Sequence, residues 1–278
     1  MPPLIPPVGR SRGSLAALPA LVVALVVALG AATTHALPAS AASLTTGSAE
    51  ASLLAWTNRD RAALGLRPLR SDPPLVAIAG TRAENLAAAG SFSHAASGGD
   101  LAPALARAGV QWYAWGENIA LWSGGLTSTT VAGIYGAWRK STSHWAMLMS
   151  RTMNYVGFGV AVRASDGRVF ASAVLTESRD HTAPSAKVDR ATRSGTTITF
   201  AWHGYDAPLQ AHWAGLRDFD AWYRVDGGPW RLVRDNTTAT SLQLGSRAPG
   251  HRYWLMVRAR DRAGNVGRQS TPVSVWVP

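Results

Sequence analysis

Cysteine is absent from the sequence. That excludes a disulfide framework, a thiolate nucleophile and any Cys-based metal site, so stability has to come from apolar cores alone. Lysine is nearly absent: of 27 basic residues only Lys140 and Lys187 are not Arg, and no run of more than two consecutive basic residues occurs. No H-E-x-x-H signature of metalloproteases is present, and beyond Gly9-Arg-Ser-Arg-Gly13 near the N-terminus no G-x-S-x-G elbow of serine hydrolases occurs. After residue 32 no second apolar stretch is long enough to span a bilayer.

What is there begins with an export signal. Arg10 and Arg12 form a short positive region, Leu15 to Ala32 is almost all Leu, Val and Ala, and Ala39-Ser40-Ala41 fits an A-x-A cleavage site. Residues 1–41 therefore read as a signal peptide, the alternative being an uncleaved anchor. Either way the remainder is secreted or extracellular, with no membrane span once the signal is removed. With 278 residues and 47% hydrophobic content, the chain can build two domains with real cores. The net charge of +11 is uneven. Residues 43–178 carry 11 basic and 8 acidic groups, +3, and residues 179–278 carry 14 and 8, +6. A basic exported module can meet an anionic wall polymer. Without basic runs, nucleic acid is not expected.

Residues 42–49 are small and polar and read as a linker. A helix fits Ala49 to Leu64, stopped by Gly65. Pro73 and Pro74 open a second helix, whose Leu75, Ala79, Ala83, Leu86 and Ala87 keep helical spacing. A third helix follows Asp100, and a fourth starts at Thr127–Thr130 and runs into Ser141-Thr-Ser-His144. Tyr155 to Val162 and Arg168 to Leu175 flank Ser165-Asp166-Gly167 as a hairpin. This is an α+β domain over residues 50–178. Residues 179–183 form a second linker, around Asp180-His-Thr-Ala-Pro184. Residues 184–278 then read as roughly seven short strands separated by turns, a β-sandwich count.

Five pieces carry a resemblance: Asn58-x-x-Arg61, Phe92-Ser-His94, Gly116-Glu-Asn-Ile-Ala120, Trp138-x-x-Ser-x-x-His144 and Gly157-Phe-Gly-Val160. In this order and spacing they resemble a bacterial CAP (SCP-like) domain, the superfamily of cysteine-rich secretory proteins, antigen 5 and pathogenesis-related 1 proteins. The resemblance implies an α-β-α sandwich and a cavity lined by two His and two Glu. His94, Glu117 and His144 match three of those positions; the fourth falls at Ser141, which puts in doubt any activity that needs a second carboxylate. Residues 184–278 resemble a fibronectin type III or immunoglobulin-like module through Trp202, the Tyr253 strand and Asp261-Arg-Ala-Gly-Asn265.

His94 and His144 are the only histidines between residues 42 and 178. With Glu117 they make a His-His-Glu set suited to Zn²⁺ or another divalent cation. The same Glu117 can instead be a structural hydrogen-bond centre, or a catalytic group with Ser141 and His144. Trp112, Trp115, Trp122 and Trp145 lie beside these motifs, where they can hold a lipid, another small apolar ligand or a glycan, or simply belong to the core. Three functions follow: an extracellular binding protein using the His/Glu cavity, a metal-dependent hydrolase, and a surface adhesion protein acting through the basic C-terminal module. A hydrolase lacks a second motif carboxylate to act as base, so the enzyme reading is the weaker one.

Overall fold

The computed structural model describes residues 44–278; the proposed signal peptide lies outside them. The first half contains α1 (Thr46–Ala63), β1 (Arg70–Ser71), α2 (Pro73–Ala88), α3 (His94–Ser97), α4 (Ala102–Arg107), β2 (Ala114–Trp122), α5 (Ser128–Lys140), α6 (Thr142–Leu148), β3 (Tyr155–Val162) and β4 (Val169–Glu177). The four strands form one sheet in the order β1-β3-β4-β2, with β3–β4 and β4–β2 antiparallel. Helices cover both faces. On one side Leu75 and Ala79 of α2 pack with Leu105, Tyr155 and Val174. On the other, Leu53 of α1 and Val131, Ile134 and Trp138 of α5 pack with Val156, Phe158 and Ala171. This is the α-β-α sandwich that the motifs imply.

One boundary differs from the sequence reading. α1 begins at Thr46, inside the supposed linker, because Thr45 and Ser48 form a capping box there. Residues 114–122, to which the sequence reading gave no element, are strand β2, which places a sheet element between helices. The Gly157-Phe-Gly motif has a steric cause. A Cβ at Gly157 would strike the α2 backbone at Leu75, and one at Gly159 would strike it at Ala79, so these glycines let β3 and α2 approach closely.

The second half contains β5 (Ser185–Ser194), β6 (Thr197–Tyr205), β7 (Leu216–Val225), β8 (Arg231–Thr237), β9 (Ser241–Leu244), β10 (His251–Asp261) and β11 (Val273–Val277). They form two sheets, β11-β10-β7-β8 and β5-β6-β9, packed around Ile198, Phe200, Trp202, Leu255 and Val257. This is a fibronectin type III-like sandwich. The Tyr253 hydroxyl donates to the Ala248 carbonyl at 2.8 Å, tying β10 to the preceding corner.

The two halves are in contact. Leu209, on the connection between β6 and β7, is 2% exposed and joins the core cluster of Leu75, Leu101 and Val174. Around it, the Arg67 backbone N–H donates to Gln210, Asn154 Nδ2 donates to the Ala211 carbonyl, and the His212 ring stacks on Tyr113.

Candidate functional site

Strand β2 organises the predicted site. Its side chains alternate between the two faces of the sheet. Trp115, Glu117 and Ile119 point to the α2 side, where Ile119 packs with Leu86 and Phe170. Gly116, Asn118 and Ala120 point to the α5–α6 side; a Cβ at Gly116 would hit Met147, and Ala120 packs with Val131 and Trp138.

Glu117 is thus delivered to the α2 face, and there it meets Arg82. The guanidinium grips both carboxylate oxygens, Nε to Oε1 at 2.6 Å and Nη2 to Oε2 at 2.7 Å. His94 donates from Nδ1 to Oε2 at 2.7 Å, Ser97 from Oγ to Oε2 at 3.2 Å, and Ser172 from Oγ to Oε1 at 2.9 Å. The Arg82 and Glu117 side chains are 5% and 3% exposed. Arg82 also donates to Ser97 Oγ and to the Gly99 carbonyl, so the turn after α3 is held by the same ion pair. Burial by itself would raise the Glu117 pKa. The hydrogen bonds from Arg82 and His94, the Arg82 charge and the Ser172 hydroxyl outweigh it and hold the group down at about 2.

His144 sits differently. The expected fourth helix breaks at Ser141, whose extended backbone ends α5 and caps α6. Ser141 Oγ and His144 Nδ1 lie 2.8 Å apart, across the first turn of α6 rather than along a continuous helix. The His144 ring is buried, and its carbonyl accepts from Asn118 Nδ2 at 3.0 Å on the side of the sheet opposite to the Glu117 carboxylate. The structure therefore joins His94 to Glu117 and Ser141 to His144. It does not bring the ligand atoms of His94, Glu117 and His144 within 4.8 Å of one another; among the described residues the one such triad is Asp180, Asp206 and Asp261. For Zn²⁺ the donor set fits poorly, because Glu117 spends both oxygens on Arg82, His94, Ser97 and Ser172.

The remaining motif residues brace the fold. Asn58 exchanges hydrogen bonds with the Leu69 backbone in both directions. Arg61 is fully buried, and its guanidinium donates to the carbonyls of Arg67, Leu148 and Ser150, the last two at the α6 C-terminus, where the helix dipole favours a cation. Burial lowers its pKa to about 10. Trp112 and Trp115 pack against the α2-side core, and Trp122 and Trp145 against the other. Arg82 is the residue that the sequence reading passed over. It lies in the buried stripe of α2, three residues after Ala79 and four before Leu86, and an Arg on such a stripe signals a buried acid nearby.

A second set of half-buried aromatic residues lies on the other module. On the β11-β10-β7-β8 sheet, Tyr253, Leu255, Val257, Phe219 and Ala221 face the core. Trp222, Arg224, Trp254 and Arg258 consequently face outward. The Arg224 guanidinium lies 4.6 Å from the Trp230 ring centroid and 5.3 Å from that of Trp254, and Arg258 lies 5.1 Å over Trp222. Toward one end Arg258 and Arg260 pair with Asp218 and Asp220. At the other, neither Arg224 nor Arg252 has an acidic partner within 4.0 Å among the described residues.

Residues 54–175 match the CAP family, the cysteine-rich secretory protein family. No curated protein matches the chain significantly. Among solved structures, an extracellular protein containing an SCP domain from Bacillus anthracis is 22% identical over 48% of this chain and 41% of that one, with a TM-score of 0.40. A cysteine-rich secretory protein from Staphylococcus aureus is 21% identical over 50% and 40%, with a TM-score of 0.38. A Fn3-like protein from Clostridium thermocellum is 25% identical over 34% of this chain and 88% of that one, with a TM-score of 0.23. The chain spans about two fifths of the length of the first two.

Proposed function

We propose, on the premise of the CAP family match over residues 54–175, that the protein is an extracellular binding protein in which the first domain is a rigid presenter. Recognition falls to the outer sheet face of the second module, and the ligand is an anionic surface polysaccharide or wall polymer. The observation that carries this reading is the interleaving of Trp222, Trp230 and Trp254 with Arg224 and Arg258 on that face. Indole rings offer flat apolar area with a polar edge. A guanidinium held between two rings is preorganised, so it loses less freedom on engaging a phosphate or carboxylate. Trp276 and Leu232, at the two sides of this face, are close to half exposed and extend it.

No helix among the described residues is long and apolar enough to cross a membrane. The export signal read from residues 1–41 supports an extracellular location. The saturation of Glu117 argues that the His94–Glu117 pair is a structural centre rather than a hydrolytic one.

The test is sedimentation of the purified protein with wall sacculi carrying their phosphate polymer, and with sacculi stripped of it. Binding is expected to the first and to weaken with salt. Arg224→Gln and Trp254→Ala are each expected to weaken it at least about tenfold. Equal binding to both sacculi, or unchanged binding by both variants, would reject this reading.

A further inference from the structure

Three buried carboxylates converge where the two modules meet. Asp180 lies on the connection between β4 and β5, Asp206 directly after β6, and Asp261 at the end of β10. They are 3%, 4% and 0% exposed, and one oxygen from each lies within 4.8 Å of the others. Like charges this close in a poorly solvated site repel strongly. No Arg, Lys or His lies within ion-pair distance of any of the three among the described residues.

Two of the acids are partly satisfied. Asp180 accepts from the Tyr155 hydroxyl and from the backbone N–H groups of Thr182 and Ala214, at 3.2, 3.0 and 3.0 Å. Asp261 accepts from the Asn265 N–H at 2.8 Å and from its side chain at 2.7 Å. Asp206 is the exception: both of its oxygens are buried and neither has a hydrogen-bond partner. Burial and the Asp180 charge push its pKa up. The nearby Gly215 N–H and Trp213 indole temper the rise without reaching hydrogen-bond geometry. A carboxylate buried in this way and aimed at two others lacks a cation.

We propose that Asp180, Asp206 and Asp261 hold a calcium ion that fastens the second module to the first domain. The donors are all oxygen, which suits a hard cation and not zinc. The three acids bring one oxygen each to the site, and calcium, which takes six to eight oxygens in flexible geometry, would complete its shell with carbonyls or water, whereas magnesium demands a near-ideal octahedron. The three acids come from different parts of the chain. Asp180 sits on the inter-module connection, and Asp206 opens the segment that carries Leu209 into the first domain's core. Asn265 Nδ2 bridges the Asp180 carbonyl and the Asp261 carboxylate. A cleft of about 330 Å³, lined in part by Asp72, Gln111, Asp180, His181 and Asn265, reaches Asp180 of the cluster. The site does not depend on the sheet face proposed for recognition.

The purified chain, stripped with EDTA, tests this by melting with added CaCl₂. The wild type is expected to melt higher in proportion to the logarithm of calcium, by on the order of 5 °C or more at a hundredfold excess over Kd. Calorimetry should give one ion per chain. Terbium should luminesce through Trp213 and be displaced by calcium. Asp206→Asn is expected to abolish both effects, and Trp213→Phe to remove the luminescence while keeping the calcium-dependent rise in melting temperature. A wild type whose melting is unchanged by about 10 mM calcium, a weak limit for extracellular sites, would overturn the proposal. So would a calcium effect that survives undiminished in Asp206→Asn, and so would an Asp206→Asn variant more stable than the wild type in saturating calcium, the behaviour of a shared proton.

Discussion

Replacing Glu117 by Gln keeps the shape of the side chain and removes its charge. The Arg82 guanidinium, 5% exposed, is then left inside the domain without a counterion, and the new amide turns a donor toward Arg82 or toward His94 and Ser97. Breaking one side of a buried pair costs about 3–5 kcal/mol. A cost of that size lowers the melting temperature of a domain this large by roughly 10 °C. Chemical denaturation followed by circular dichroism reads it directly. Arg82→Met alone should cost a similar amount, because it strands the carboxylate. The double variant Arg82→Met/Glu117→Leu removes both charges, and it should recover at least half of the summed loss, since a buried ion pair is worth little more than an apolar replacement. A Glu117→Gln protein within about 1 kcal/mol of wild type, or strictly additive losses in the double variant, would refute the view that this pair is an interlocked structural centre.

Other consequences are as definite. The folded-state Glu117 pKa of about 2 lies below its unfolded value near 4.5, so its stabilisation is complete above about pH 4.5 and is lost as pH falls toward 2; acid titration of stability should show a loss of about 3 kcal/mol in that window, and a flat profile there would contradict the ion pair. Gly157→Ala should destabilise by about 1–3 kcal/mol in thermal melts, because its methyl group meets the α2 backbone at Leu75. Leu209→Ala should cost about 2–5 kcal/mol and render the connection between the modules more sensitive to limited proteolysis, because Leu209 belongs to the first domain's core.

The parts of this architecture governed by local pattern were legible in the sequence. Helix α2 announced itself through Pro73 and Pro74 and the Leu75–Leu86 stripe, and the β3–β4 hairpin through alternation around Asp166-Gly167. What was missed depended on partners far apart in the chain. Glu117 and Arg82 are 35 residues apart, and no local rule pairs them, although Arg82 stood on a visibly apolar stripe. The three-residue cavity was expected from the resemblance, which assigns His94, Glu117 and His144 by motif position and carries no information on sheet faces. Once residues 114–122 form a strand, Glu117 and its neighbour Asn118 must point oppositely, and the His144 carbonyl is found on the Asn118 side. Asp180 and Asp261 were visible only as boundary and turn residues. Their convergence with Asp206 requires the folded junction between the modules.

The proposed division of labour between the two modules is tested most directly by nuclear magnetic resonance of the protein titrated with a soluble phosphate-bearing wall fragment. The account predicts that the indole Nε1 resonances of Trp222, Trp230 and Trp254 and the side-chain resonances of Arg224 shift on binding. The imidazole resonances of His94 and His144 should stay in place. Shifts concentrated at His94, His144 and Ser141, with the Trp222–Arg224–Trp254 face unmoved, would contradict it and return recognition to the first domain.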